Sequence, residues 1–354
     1  MKKNDYYETF DLFEDLDDVD YLAIIKNTPH SMYRREYKRG KAKLKNPPID
    51  PVLELTDQSI DRNTFEFTYH ASLYEAGWLV DSLGFFYEHH WIDDVLRLIK
   101  GGKEASVYQC RANPITIGSN HIYLAAKVYR PRQFRSLKND HLYRENRANL
   151  DSDGHLIGDD GRQHAIQKKT EYGLQLMHIS WLEHEFKTMQ LLQEAGADIP
   201  KPFTCGENAI LMDYIGGEDM AAPTLNSIKL SACEARNLFQ RVLHNVELML
   251  SVGRVHADLS AYNILYWEGE ITLIDFPQAI SPHENRNAYQ IFERDILRVC
   301  DYFIHQGVRS DPRQLAARLW TSYRYPLLPE IHPGLLDADD DKDRVYWQHN
   351  RNKK

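Results

Sequence analysis

The chain has 354 residues, 42% apolar and 27% charged, with a net charge of −9. This is enough for one large core or two modest ones, and the acidic balance excludes a protein basic overall while leaving room for a local basic patch. No apolar run reaches the roughly 20 residues a membrane-spanning helix needs. The N-terminal MKKNDYYETFDLFEDLDD lacks an apolar signal region. Cysteines 110, 205, 233 and 300 lie far apart with no C-x-x-C, so neither a disulfide framework nor a structural zinc is expected. A reducing cytoplasm is the expected setting, and no membrane partner is expected.

Taken in order, residues 1–67 are acidic with interspersed aromatics and then basic, with RREYKRGKAKLK from Arg34 to Lys45. A solvated, flexible segment whose two halves attract is one reading. A phosphate-contacting arm for RNA or a ribosomal particle, with Tyr33 and Tyr37 available for stacking, is the sharper one. Residues 68–90 place Leu73, Trp78, Leu79, Leu83 and Phe86 at near-helical spacing. Gly77 and Gly84 weaken this to one or two short helices, a helical extension packed on the domain after it.

That domain begins near Trp91. Val95 to Ile99 and Ala105 to Cys110 read as strands around the turn KGGKEA, in which glycine lets backbone N–H groups approach a phosphate. A third strand, Ile122 to Tyr129, carries Lys127 among apolar residues. A lysine there is costly unless paired, which makes it a candidate for nucleotide phosphates, the bland alternative being an edge lysine snorkelling to water. Residues 131–178 read as a flexible, polar insertion. Within it NLDSDGHLIGDD (Asn149 to Asp160) resembles a calcium loop, but Asp160 stands where a bidentate Glu belongs, and a polar hairpin turn is the better reading.

A helix is expected from Ser180, boxed by Glu183 and stopped by Gly196. Its Glu185 is the expected partner of Lys127, unless it is simply a solvated helix residue. Ala209 to Ile215 reads as a strand running into Gly216-Gly217, a hinge at which backbone groups of Asp213 and Ile215 could bond an adenine. Ser231 and Glu234 box a further helix to about Ser251, stopped by Gly253.

The stretch His256 to Ile280 comes next, with Asp258, Asn263 five positions later, and two apolar runs joined at Glu268-Gly269. A hairpin here returns Asp275 to the neighbourhood of Asp258 and Asn263. Few hard oxygen ligands with room left for phosphates suit Mg²⁺, and the spacing is that of a base Asp followed by a metal-holding Asn and Asp. A helix from about Ala288 to His305 carries Arg294, Asp295 and Arg298. Asp311-Pro312 opens a last short helix, and 311–354 ends in a charged tail.

These pieces together resemble the RIO family of atypical serine protein kinases. The matching motifs are GGKEASVY (Gly101 to Tyr108), AAKVYR (Ala125 to Arg130), WLEHEF (Trp181 to Phe186), MDYIGGEDMAAP (Met212 to Pro223), HADLSAYN (His256 to Asn263) and IDFPQ (Ile274 to Gln278), in family order. The glycine turn and hinge look like the family branch that lacks a winged helix, whereas DFPQ looks like the other branch. The resemblance implies an α+β, two-lobed protein-kinase-like fold: a small antiparallel-sheet lobe with one helix over 91–215, then a shortened helical lobe over 216–310. It implies ATP with Mg²⁺ or Mn²⁺. Lys127 would contact the phosphates and Glu185 would orient it, Gly102 and Lys103 would lie in the phosphate loop, and Ile215 would meet the adenine. Asp258 would be the base, Asn263 and Asp275 the metal ligands, with Asp275 also able to take the phosphate itself. The acceptor would be an unknown protein or the chain itself. The alternatives are an ATPase switch or scaffold on an RNA-protein particle and a small-molecule kinase of the aminoglycoside or choline type.

Overall fold

The structure, a computed structural model, describes residues 65–102, 104–130, 147–325 and 344. The acidic and basic N-terminal stretch with Arg34 to Lys45, Lys103, the first part of the expected insertion and nearly all of the charged tail lie outside them. No helix among the described residues is long and apolar enough to cross a membrane.

Helix α1 (Leu73–Glu88) opens on a full capping box, in which Ser72 accepts the Glu75 N–H and the Glu75 carboxylate accepts the Ser72 N–H. It is one continuous helix rather than two. Leu79, Leu83 and Phe86 are completely buried along one stripe, and that burial outweighs the roughly 1 kcal/mol each internal glycine costs.

Strands β1 (Ile92–Gly101), β2 (Ala105–Ala112), β3 (Tyr123–Tyr129), β4 (Pro202–Cys205) and β5 (Ala209–Asp213) form an antiparallel sheet of order β1-β2-β3-β5-β4. A short helix, α2 (Pro114–Ile117), caps the β2–β3 connection. Strand periodicity decides the layers. Leu124, Ala126 and Val128 of β3 pack with Leu79, Leu83 and Phe86 under α1. Ala125 and Tyr129 join the opposite cluster. Lys127 shares their parity and is therefore turned to the inner face of the sheet, away from α1.

Two sequence expectations fail between residues 147 and 196. Instead of an insertion continuing to 178, the chain makes an antiparallel bridge between Leu150 and Leu156, then helix α3 (Asp160–Gln167), then α4 (Glu171–Glu194). Helix α4 begins at Thr170, which accepts the Gly173 N–H, and not at Ser180. Ser180 is buried mid-helix, where its hydroxyl accepts the Leu150 N–H at 2.9 Å. The Ser-x-x-Glu signature misleads because the Ser180 hydroxyl is spent on a distant backbone N–H, and the helix runs on through Gly173, where α3 crosses it. A Cβ there would run into the Ala165 backbone of α3. The segment Asn149 to Asp160 is a polar hairpin turn: Asp151 accepts the N–H groups of Asp153 and His155 at 3.1 and 2.8 Å, and Asp159 caps α3.

The second lobe holds α5 (Ala232–Ser251), boxed by Ser231 and Glu234, the hairpin β6 (Ile264–Trp267) and β7 (Glu270–Leu273), α6 (Ala288–His305), and α7 (Pro312–Ser322) capped by Asp311. One core cluster runs from Ala125 and Tyr129 through α4 to Trp320 of α7, so it spans both lobes. Between lobes the chain bends at Gly216, φ 142°, where a Cβ would come within 2.6 Å of the Met220 carbonyl. Arg97 of β1 braces this bend through the Tyr214 hydroxyl and the Glu218 carbonyl, both at 3.0 Å.

Gly173→Ala forces α3 off α4, an overpacking cost of about 1–3 kcal/mol. Urea denaturation should show that loss, whereas Gly158→Ala, with nothing within 4 Å of the added carbon, should stay near the parent value.

Candidate active site

The floor of the cleft between the lobes is a charge cluster drawn from three elements. Lys127 Nζ of β3 lies 2.7 Å from Glu185 Oε1 of α4 and 2.6 Å from Asp275 Oδ1, just beyond β7. Glu185 is 1% exposed at its side chain, and it also accepts the Tyr129 hydroxyl and the backbone N–H of Phe276. Burial alone would lower the Lys127 pKa, but the charges of Asp275 and Glu185 outweigh it and hold the ammonium above its ordinary range. Burial raises Glu185. Asp275 is enclosed by protein yet its side chain is 43% accessible, as fits the floor of an open cleft. Enclosure pushes its carboxyl up, and Lys127 brings it net below the ordinary value.

Asp258 and Asn263 are fixed by the hairpin that separates them from Asp275. Ile274 donates to the Asn263 carbonyl at 3.0 Å, and Val255 pairs with Ile280. His256, 2% exposed, stays neutral because burial lowers its pKa, donating from Nε2 to the Ile274 carbonyl and accepting the Asp258 N–H at Nδ1. Asn263 Nδ2 donates to the Asp258 carboxylate at 3.0 Å and to its carbonyl at 2.9 Å. Ala257 and Asp275 sit at φ 68° and 75°. Left-handed backbone costs a non-glycine residue about 1–2 kcal/mol and gathers at functional sites.

Helix α6 grips this loop from below. Arg294 donates to the Ala257 carbonyl, Asp295 accepts the backbone of Leu259, and Arg298 Nη1 lies 2.9 Å from Asp258 Oδ1. Sequence reasoning placed these three residues on the helix but gave them no part in the site. The usable signal was an Arg-Asp-x-x-Arg run on a helix whose Ile291, Ile296, Val299 and Phe303 are all buried. Tyr129 and His256 were likewise missed.

At the other side of the cleft, Gly102 donates to the Ala105 carbonyl at 3.0 Å, and a Cβ on it would stand 2.8 Å from that same oxygen. A tight, side-chain-free turn of this kind can cradle a phosphate. The hinge expectation needs a correction of detail. The Asp213 N–H is used by the Lys201 carbonyl and its carboxylate by the Lys201 N–H, because Asp213 ends β5 beside β4. The Ile215 carbonyl is used by Ala222, and among the described backbone groups none takes the Ile215 N–H. Hard oxygens of Asn263 and Asp275 are the donor type that suits Mg²⁺.

Asp151, Asp153 and His155 also bring ligand atoms within 4.8 Å of one another, on the surface and apart from the cleft residues. Their hydrogen bonds are those of the hairpin turn between Asn149 and Asp160.

The RIO domain family matches residues 107–315, more than half of the chain. The RIO-type serine/threonine-protein kinase Rio1 of Haloferax volcanii is 29% identical over 219 residues, 60% of this chain and 64% of that protein. The human serine/threonine-protein kinase RIO1 is 33% identical over 130 residues, 36% of this chain and 23% of the human one. The match thus spans less than two thirds of either relative. A Rio2 kinase–ADP/Mg²⁺–phosphoaspartate complex from Chaetomium thermophilum superposes with a TM-score of 0.47 at 16% identity, covering 79% of this chain and 77% of that one. The class is the two-lobed kinase-like fold, a small antiparallel sheet joined to a mainly helical lobe. Within it, the chain belongs to the RIO family.

Burial pushes the Asp295 carboxyl up to about 7. The unfolded chain releases this proton near pH 4, so between about pH 4 and 7 the native state binds more protons and stability falls as pH rises. Asp295→Asn removes that component. The stability of the variant relative to the parent should rise across this window with a slope of at most about 1.4 kcal/mol per pH unit. A flat difference curve from denaturation at several pH values counts against the buried, protonatable carboxyl.

Proposed function

We propose that this chain is an ATP-dependent serine/threonine phosphotransferase. The observation that carries the reading is the lysine shared between a helical glutamate and the aspartate after the hairpin, at 2.7 and 2.6 Å, beside the linked Asp258 and Asn263. Family membership supports it. Lys127 binds the α- and β-phosphates and Glu185 holds it in register. The phosphates are assigned to Gly102 and, by sequence alone, to Lys103, and the adenine to the Ile215 N–H with the Asp213 carbonyl.

Asn263 and Asp275 would hold Mg²⁺ (or Mn²⁺), which neutralises phosphate charge and fixes the phosphates' orientation. Asp258 orients the acceptor hydroxyl and takes its proton. The bond from the acceptor oxygen to phosphorus forms as the bond to the β-phosphate oxygen breaks, and ADP leaves with the electron pair. Positioning and charge neutralisation carry most of such a step. Phosphate oxygens at Lys127 would share the ammonium with the Asp275 carboxylate, which lies 2.6 Å from it. The acceptor is a serine or threonine of a partner or of this chain.

Incubation with γ-labelled ATP and Mg²⁺ tests this. Asp258→Ala should lower transfer by about 10²–10⁴-fold, the range for loss of a proton-transfer residue, with ATP affinity little changed. Parent-like turnover in that variant would sink the assignment. Lys127→Met should instead weaken ATP binding itself, read by equilibrium titration. Label that survives hydroxylamine lies on a hydroxyl acceptor, and hydroxylamine-sensitive label would put the phosphate on Asp275.

A further inference from the structure

The proposed reaction leaves one feature of the cleft unexplained. The Asp258 carboxylate, assigned as base, has both oxygens occupied by side chains. Asn263 Nδ2 holds Oδ2 at 3.0 Å and Arg298 Nη1 holds Oδ1 at 2.9 Å. The acceptor-orienting role of Asp258 does not by itself call for an arginine bonded to one of its oxygens.

Three observations give the arginine a different task. Arg298 stands one helical turn beyond Arg294, and Arg294 is the residue that secures the loop backbone through the Ala257 carbonyl. The structural work of holding the loop is therefore already done by a neighbour. Arg298 makes its described hydrogen bond with a single N–H, and its side chain is 38% exposed, as is that of Asp258. The remaining guanidinium donors are therefore beside the carboxylate that orients the acceptor, with no further hydrogen-bond partner among the described residues. Elsewhere in the cleft, Lys127 is held at the opposite end of the cluster by Glu185 and Asp275. No other arginine is bonded to Asp258, Asn263 or Asp275 among the described residues.

We propose that Arg298 is a catalytic residue of this chain, an arginine supplied in cis from α6 that binds the equatorial oxygens of the phosphoryl group in transit while one N–H keeps Asp258 oriented. This inference rests on the phosphotransferase reading with Asp258 as base. A planar, permanently charged fork matches phosphate oxygens, and arginines so placed act on charge that develops in a loose phosphoryl transition state. No further reagent enters: the bonds made and broken are those of the transfer itself.

The test compares full-length Arg298→Gln, Arg298→Lys and Arg298→Ala with Asp258→Ala, using γ-labelled ATP and Mg²⁺ under single-turnover conditions, ATP titration and thermal melting. Arg298→Gln can still donate to Asp258 but lacks the charge. Its transfer rate should fall about 100-fold, the scale for loss of one donor to a transition-state charge. ATP affinity should stay within about threefold, a kcat loss without a matching KM loss. Arg298→Lys should fall between Gln and the parent, and free guanidinium should restore part of the activity of Arg298→Ala. Parent-like transfer in Arg298→Gln while Asp258→Ala is inactive overturns the role of Arg298 and leaves the phosphotransferase reading intact. A fall in melting temperature or ATP affinity that accounts for the rate, with no rescue by lysine or guanidinium, also overturns it by showing a purely structural contact. Full transfer in Asp258→Ala removes the underlying reading, and this inference with it.

Discussion

A buried ammonium is the constraint on which the rest of this fold depends. Lys127 is carried on the inner face of β3 by strand parity, with its side chain only 10% exposed, and an unpaired charge in that position would cost several kcal/mol. Its stability there requires a carboxylate from the helix that covers the sheet and another from the opposite lobe. Removing either partner leaves charge uncompensated, so the position of α4 on the sheet and the position of the β6–β7 hairpin are both fixed against one atom. The Tyr129 hydroxyl and the Phe276 N–H then satisfy the remaining capacity of Glu185, so that this carboxylate is held from the sheet and from the second lobe together. One cation facing two carboxylates leaves an excess of negative charge at the cleft floor, which is the electrostatic condition a divalent cation meets well.

The second lobe solves a different problem, that of holding a strained loop. Ala257 and Asp275 both lie in the left-handed region, and neither is glycine. Such backbone persists only where the surroundings over-determine it. His256 ties the loop to the end of the hairpin through one ring nitrogen and turns the Asp258 N–H inward with the other. Arg294 and Asp295 hold the backbone on either side of Asp258 from α6. The neutral state of His256 is a consequence of burial, and it is what allows one ring to donate and accept at once.

Much of this was legible from the chain because local chemistry announced it. Ser231 with Glu234, Asp311 with Pro312 and the alternation around Lys127 mark their elements without outside help, and β6, β7 and α6 are marked by runs of apolar residues at the right period. The geometric meeting of Lys127 with Glu185 was legible too, since a lysine in an apolar strand demands a partner. What failed were inferences whose physics is non-local. Ser180 reads as a cap until it is found inside α4 with its hydroxyl on Leu150. The Lys127–Asp275 contact and the grip of Arg294 and Arg298 join residues from distant parts of the chain. No spacing rule reports them, although the charged run on an otherwise buried helix face was visible and unexplained.

Those non-local contacts also say something about how the cleft behaves as a unit. Each carboxylate proposed to act in the reaction is already engaged by a cation from a different element, Asp275 by Lys127 and Asp258 by Arg298. The two pairs differ in setting: Arg298 and Asp258 are both 38% exposed, where an ion pair is weak and exchanges readily, whereas Lys127 is only 10% exposed and depends on its carboxylates. On the proposed reading, a phosphate at this site would compete with Asp275 for Lys127 and with Asp258 for Arg298. The two pairs thus set a cation from the sheet and a cation from α6 against the two carboxylates, so the charges of the site are brought together by three separate elements of the fold.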